Sequence, residues 1–492
     1  MPELHATLHR GDHEVTVPTG MWLGTYLRPA AGTFAVLDPA TDTELAQVAD
    51  ATSVDWLAAL DVAAAAQNTW AAVAPRTRSE ILTAIFQKIT ERANEFATVM
   101  SFEMGKPLAE AKGEVAYGAE YFRWFAEEAV RSSGRTSPAP AGNGSIIVTQ
   151  EPVGPVLAIS PWNFPLAMAT RKIAPALAAG CTVIVKPAAE TPLTLLLLGE
   201  ILAEVFEKFP VPNGVVSIIP TLNAADMSAE LMADSRLKKV TFTGSTPVGK
   251  LLVKQSADNL QRTSMELGGN APFVVAADAN LDLVFTCAMQ AKMRNGGAAC
   301  IAANRFLVHE SIAEEFSNNL TAAMAAVRTG HGLDAGTTLG PIITAKQRDR
   351  IAELVADAQA RGARVTTGGE IDPAQPGYFY PATVLVNVPK DARIMHEEIF
   401  GPVATVTTFS DLSEGIDQAN DTPFGLAAYG FTENYHTARR LAAQLQAGMV
   451  GINRGAISDP AAPFGGIKES GFGREGGTEG IAEYQETKYI AL

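Results

Sequence analysis

The chain has 492 residues, 47% hydrophobic and 18% charged, with a formal net charge of −15. That length exceeds one simple core and predicts two or three domains, and the acidic balance argues against nucleic acid or an anionic membrane as a partner. Cys181, Cys287 and Cys300 are too sparse for a disulfide framework and fit a reducing, cytoplasmic setting; no Cys/His spacing suits a metal. The first fifteen residues lack the apolar segment of a secretory signal, and the leucine-rich stretch 193–198 is too short to span a bilayer.

Residues 1–50 read as short strands and turns, punctuated by Pro, Gly and Asp. Between 54 and 130 the composition turns to Ala, Glu and Lys, and Ile81, Leu82, Ile85 and Ile89 recur at helical spacing, predicting three or four helices. The segment SSGRTSPAPAGNGS (132–145) breaks that pattern as a turn or extended excursion. From 146 to 276 strands and helices alternate. Strands are predicted at 153–160, 181–187, 215–219, 238–244 and 271–276, with helices such as 192–206 and 245–258 between them. This is the βαβ pattern of a parallel, doubly wound sheet. A second α/β stretch runs from about 280 to 460, with strand candidates at 305–308 and 447–453, and YQETKYIAL reads as a further strand.

Ligands in such sheets bind beyond the carboxyl ends of strands, so those loops carry the chemistry. PWNFP (161–165) places Trp162 and Asn163 after a strand. The Asn163 amide can donate to an oxyanion, although the same sequence suits a rigid turn. Lys186 ends the next strand and suits ribose or phosphate, or plain solvation. Gly244 to Gly249 opens a helix whose free N–H groups suit a phosphate. It lacks the GxGxxG pattern, and the literal match GFGREG (471–476) follows no evident strand and is read as chance. Glu266, in MELGGNAP, sits at an apolar strand end that would raise its pKa, as a general base requires. Glu398, in EEIFGPV, suits a sugar hydroxyl or a helix cap. Cys300 lies in AKMRNGGAACIAANR (291–305), among small residues that let a substrate approach a thiolate, with Arg294 and Arg305 near enough in sequence to hold negative charge. Taken alone, such a cysteine is more often a small buried hydrophobe.

Together, PWNFP, KPAAETP, FTGSTPVG, ELGGNAP, GGAAC, EEIFGPV and PFGGIKESGFGRE resemble the aldehyde dehydrogenase superfamily in order, type and spacing. The resemblance implies an α/β fold with two doubly wound Rossmann-type domains and a small β oligomerisation element. Residues 1–129 and 148–265 would form the cofactor domain, 266–477 the catalytic domain, and 130–147 with 478–492 the oligomerisation element of a homodimer or homotetramer. It implies Cys300 as nucleophile, Asn163 and the Cys300 N–H as oxyanion hole, and Glu266 as the base that hydrolyses a thioester. Trp162, Lys186, Ala188, Ala189, Gly244, Ser245, Gly249, Leu267, Glu398 and Phe400 match cofactor-binding positions.

Many NAD-preferring members carry Glu where Ala189 stands. Its absence removes repulsion against a 2′-phosphate, so NADP is expected, with NAD as the alternative should Glu190 point inward. Ala298 and Ala302 also depart from common family residues, and Ala302 forbids a disulfide with Cys300. Within the family the similarity is greatest to succinate-semialdehyde dehydrogenases, which implies a small-molecule carboxylate aldehyde held by Arg171, Arg294 and Ser458. Glutarate semialdehyde is the alternative, since one methylene is worth only roughly 1–3 kcal/mol. A betaine-aldehyde enzyme would need an acidic or aromatic cage. A CoA-acylating enzyme usually lacks the base at Glu266, and a non-catalytic relative would have lost Cys300, Glu266 or Asn163.

Overall fold

The computed structural model describes residues 4–492. Six short strands between His5 and Asp50 lead into four helices, α1 (Ser53–Ala71), α2 (Pro75–Glu91), α3 (Ala93–Glu103) and α4 (Leu108–Ala129). Proline opens α2 and directly precedes α4, where a missing N–H costs nothing and φ is already helical. In α2, Ile81, Leu82, Ile85 and Ile89 are all buried, as their spacing predicts.

The first large sheet has a parallel centre. Its order is Arg262–Glu266, Lys239–Thr243, Val156–Ile159, Val183–Lys186, Val216–Ile218. The chain starts in the middle at 156–159, winds outward to 216–218, then crosses to the other side at 239–243. Strand order therefore reverses between 156–159 and 239–243, which opens a crevice at their carboxyl ends. Helices α5 (Ala167–Ala179), α6 (Leu193–Phe206), α7 (Ala224–Ala233) and α8 (Thr246–Ser256) lie between these strands in the chain. Cover on both faces explains why the strands read as unbroken apolar runs.

The second sheet has six parallel strands in the order Thr383–Val386, Val403–Phe409, Ala303–His309, Ala271–Val275, Ala427–Phe431, Met449–Ile452, and one antiparallel edge strand, Arg364–Thr367. The strand at 271–275, which the alternation places in a run with the first sheet, belongs here. Only Leu267–Asn270 separate it from Arg262–Glu266. Four residues cannot make the crossover that a parallel return would need, so the chain passes from one sheet to the other. Helix α9 (Leu281–Met293) then leads to the Cys300 turn.

A third, small sheet pairs Gln485–Ala491, Ser145–Pro152 and Arg135–Pro138 antiparallel. Residue 147 thus falls inside a strand. Gly471–Phe472 pairs with Arg262–Glu266 at the edge of the first sheet, so GFGREG does begin in a short strand. Among the described residues no helix is long and apolar enough to cross a membrane.

Candidate active site

A cleft of about 480 Å³ lies between the two large sheets. The loop after 156–159 supplies Trp162 and Asn163, and the loop after 239–243 supplies Gly244 and Ser245. Glu266 ends the edge parallel strand, and Leu267 and Gly268 follow it along the wall. Cys300, Glu398 and Phe400 come from the second half of the chain. The two glycines after Leu267 allow this convergence. A Cβ on Gly268 would come within 2.8 Å of Glu398 Oε2, and one on Gly269 would clash with the Cys300 carbonyl.

Cys300, Glu266 and Asn163 therefore share one site. Cys300 is partly exposed to the cleft, yet desolvation pushes its thiol up to about 12, opposed by the positive charge of Arg171. Burial likewise pushes the Glu266 carboxyl well above its usual range, reinforced by Glu475 and opposed by Arg171 and Lys172. Both Glu266 oxygens are buried without a protein partner, so they are free to take a proton from a water. Asn163 is 3% exposed and donates from Nδ2 to the Ala298 carbonyl at 2.9 Å. That bond occupies one of its two N–H groups and leaves the other for a ligand.

Behind these residues lies a buried charge cluster. Glu475 is in ion-pair contact with both Arg171 and Lys172. The terminal nitrogens Nη1 and Nη2 of Arg171 are nevertheless buried with no hydrogen-bond acceptor. The Arg171 guanidinium lies 4.3 Å from the centre of the Phe464 ring, and its charge is felt at Tyr117, Tyr121 and Cys300. Arg294 stacks over the rings of Tyr117 (5.4 Å) and Phe164 (5.1 Å). Ser458 Oγ lies 2.5 Å from the Tyr117 hydroxyl, which is 2.6 Å from that of Tyr121. Arg171, Arg294 and Ser458 thus converge around Tyr117. Arg305 does not join them. It is 2% exposed and donates to the carbonyls of Asn270, Gln418 and Ala419, holding the second sheet to its helix cover.

The residues present fit a dinucleotide. The N-terminus of α8 faces the cleft through Thr246 and Pro247, a ready seat for phosphate. Thr243 Oγ1 is buried with no partner. Glu398 accepts from the Gly269 N–H at 3.1 Å through one oxygen, and burial raises its carboxyl to about 7. Trp162 and Phe400 meet edge to face, 5.2 Å between centroids, as an apolar wall. Of the other residues expected at the cofactor, Lys186, Ala188, Ala189 and Gly249 lie outside the cleft's lining. Burial lowers the pKa of the Lys186 ammonium, opposed by Glu190, which is exposed. Gly249 is a packing glycine, since a Cβ there would strike Leu267.

Sequence reasoning missed Gln347, Arg350 and His396 at the cleft wall, and Tyr117, Lys172 and Glu475 behind it. Glu475 lies in GFGREG, and its signal was the short strand just before it. Tyr117 gave none, because an aromatic in an amphipathic helix normally reads as core.

Residues 26–490 match the model of the aldehyde dehydrogenase family. The chain is 54% identical to a succinate-semialdehyde dehydrogenase of Paenarthrobacter nicotinovorans, over 91% of this chain and 98% of that protein. It is 44% identical to a glutarate-semialdehyde dehydrogenase of Pseudomonas aeruginosa, over 94% of each. Among solved structures, an NADP-dependent enzyme of E. coli superposes with a TM-score of 0.94 at 41% identity, covering 97% of this chain and 98% of that one.

Proposed function

This chain belongs to the aldehyde dehydrogenase family, and from that premise we propose that it oxidises succinate semialdehyde to succinate on Cys300. The observation that carries the substrate is Arg171, whose two terminal nitrogens are buried without an acceptor beside Tyr117, Arg294 and Ser458. Buried donors of that kind are costly unless a ligand satisfies them, and a carboxylate matches the guanidinium fork. The relatives named for succinate and glutarate semialdehyde point to the same ω-carboxylate class.

Cys300 Sγ attacks the aldehyde carbon as the thiolate, its proton having been released to solvent, so that Glu266 stays free for the hydrolytic step. The free N–H of Asn163 and the Cys300 N–H receive the negative charge that develops on the carbonyl oxygen. NADP or NAD, when bound, supplies the hydride acceptor. Trp162, Ser245, Leu267, Glu398 and Phe400 would hold it, with Lys186 and Ala189 toward its adenosine ribose. The acyl group left on Cys300 is opened by water that Glu266 deprotonates, releasing the acid and restoring the thiol. Ala189 puts no carboxylate against a 2′-phosphate, which favours NADP, with NAD as the alternative. The exposed strand Arg135–Pro138 offers an edge for pairing with another copy, consistent with a homodimer or homotetramer.

The test is kcat/KM for succinate and glutarate semialdehydes, each with NADP and with NAD. Turnover highest with succinate semialdehyde and NADP supports the proposal. Equal turnover of the uncharged butanal would remove the clamp from it, and faster turnover of glutarate semialdehyde would move the assignment one methylene along.

A further inference from the structure

We propose that Asn295 is a positioning residue that staples the Asn163 loop to the Cys300 turn and so sets the oxyanion donor in register with the nucleophile. The inference rests on the reading of Cys300 and Asn163 given above. Asn295 is 3% exposed and adopts a left-handed backbone, φ 56° and ψ 36°. Its Nδ2 donates to the Asn163 main-chain carbonyl at 2.8 Å and to the Ala298 carbonyl at 3.0 Å. The Asn163 side chain donates to that same Ala298 carbonyl at 2.9 Å. Two amides and two carbonyls thus form a closed set, half from the loop that follows the first sheet and half from the turn that leads into the second.

The staple is itself anchored. The Asn295 N–H donates to Glu110 Oε2 at 2.5 Å. The Asn163 carbonyl takes a second bond, at 2.9 Å, from Lys106 Nζ. Lys106 is paired with Glu114, whose other oxygen accepts from the N–H groups of Leu166 (2.9 Å) and Ala167 (3.1 Å) at the start of α5. Helix α4 and the residues just before it therefore fix both sides of the oxyanion hole.

Both Nδ2 hydrogens of Asn295 are engaged, so it has no donor left for a substrate. Its effect must run through Asn163. An oxyanion donor acts only when held at about 2.7–3.1 Å from the developing charge, and here donor and nucleophile stand on different sheets. Asparagine tolerates the left-handed conformation better than most residues, and glycine does so freely. This makes the side chain separable from the backbone by mutation.

The experiment compares wild type, Asn295→Gly and Asn295→Asp, with Asn163→Ala as control. Asn295→Gly keeps the turn and removes the staple. Asn295→Asp keeps the shape and turns the donor into an acceptor facing two carbonyls. Measured are kcat and KM for the aldehyde, the rate of Cys300 alkylation by iodoacetamide, and NADP binding by protein fluorescence. Asn295→Gly is expected to lower kcat about 10–100-fold, with KM and cofactor binding within threefold and alkylation within twofold of wild type. Asn295→Asp should fall further. A kcat for Asn295→Gly within twofold of wild type overturns the inference, and so does alkylation that falls in step with kcat, which would place the defect in the nucleophile turn. Full activity in Asn163→Ala would instead overturn the oxyanion reading on which the staple depends.

Discussion

Replacing Arg294 by Met separates binding of the substrate carboxylate from the chemistry at Cys300. Met keeps an apolar stem of similar reach and removes the guanidinium, which lies over the rings of Tyr117 and Phe164. Among the described residues Arg294 makes no ion pair, whereas Arg171 shares Glu475 with Lys172. Arg294 is therefore the cation whose removal leaves the Glu475 cluster intact. A hydrogen bond to a charged group is worth about 1.5–3 kcal/mol, or roughly 10–150-fold in affinity. KM for succinate semialdehyde should rise by that factor, with kcat held within threefold. For butanal, which has no carboxylate to hold, both constants should stay near wild type. Arg171→Met should differ in kind: it leaves Glu475 with only Lys172, so it should lower Tm as well as raise KM. Initial rates of cofactor reduction, read at 340 nm, give both constants, and thermal unfolding gives Tm. The reasoning is refuted if Arg294→Met changes KM less than threefold for succinate semialdehyde, or raises it equally for butanal.

Glu266→Gln should cut steady-state turnover by about 10²–10⁴-fold, while a first burst of reduced cofactor survives, because the acyl group still forms on Cys300. Since burial raises the Glu266 carboxyl, the wild-type rate should climb as pH rises and frees the base; rapid-quench traces with no burst in the variant would reassign Glu266 to the first step. Ala189→Glu should lower the ratio of kcat/KM with NADP to that with NAD by tenfold or more, through repulsion of a 2′-phosphate, and an unchanged ratio would place the ribose elsewhere. Lys292 is fully buried, its ammonium lowered by desolvation to about 7, with Asn304 Oδ1 as its hydrogen-bond partner at 2.8 Å. Between its ordinary value and that lowered one the unfolded chain binds a proton that the folded chain does not, so stability falls as pH drops, by up to about 1.4 kcal/mol per unit. Lys292→Met escapes this, and its Tm relative to wild type should rise as pH falls from 10 toward 7; a gap independent of pH would show that Lys292 stays charged when folded.

Much of the cleft was legible because its residues follow strand ends, where apolar runs stop near Asn163, Gly244 and Glu266, while the Cys300 turn, between α9 and Ala303–His309, stood out by its small residues. The two-sheet division was harder to read. Ala271–Val275 has the same apolar character as the strands before it, and only the shortness of Leu267–Asn270 tells that the chain has changed sheets. Arg305 looked like an electrostatic partner of Cys300 from its spacing, but strand geometry carries it along the second sheet to three backbone carbonyls. Lys106, Glu110 and Glu114 gave no signal, since charged residues around a helix start normally face water. Here the Asn163 loop and the Cys300 turn close over them, and the Lys106 and Glu114 side chains are no more than 1% exposed.

The pairing of Lys172 with Glu475 also bears on the order in which the protein can be made. The two are 303 positions apart. At about 5–20 residues per second, a ribosome needs roughly 15–60 s to reach Glu475 after Lys172 has been added. During that time α5 carries a cation destined for the interior with no counter-charge, and the strand Arg262–Glu266 lacks its neighbour Gly471–Phe472. The first sheet is thus held incomplete on the nascent chain, and its final closure waits for a segment synthesised after the whole second sheet.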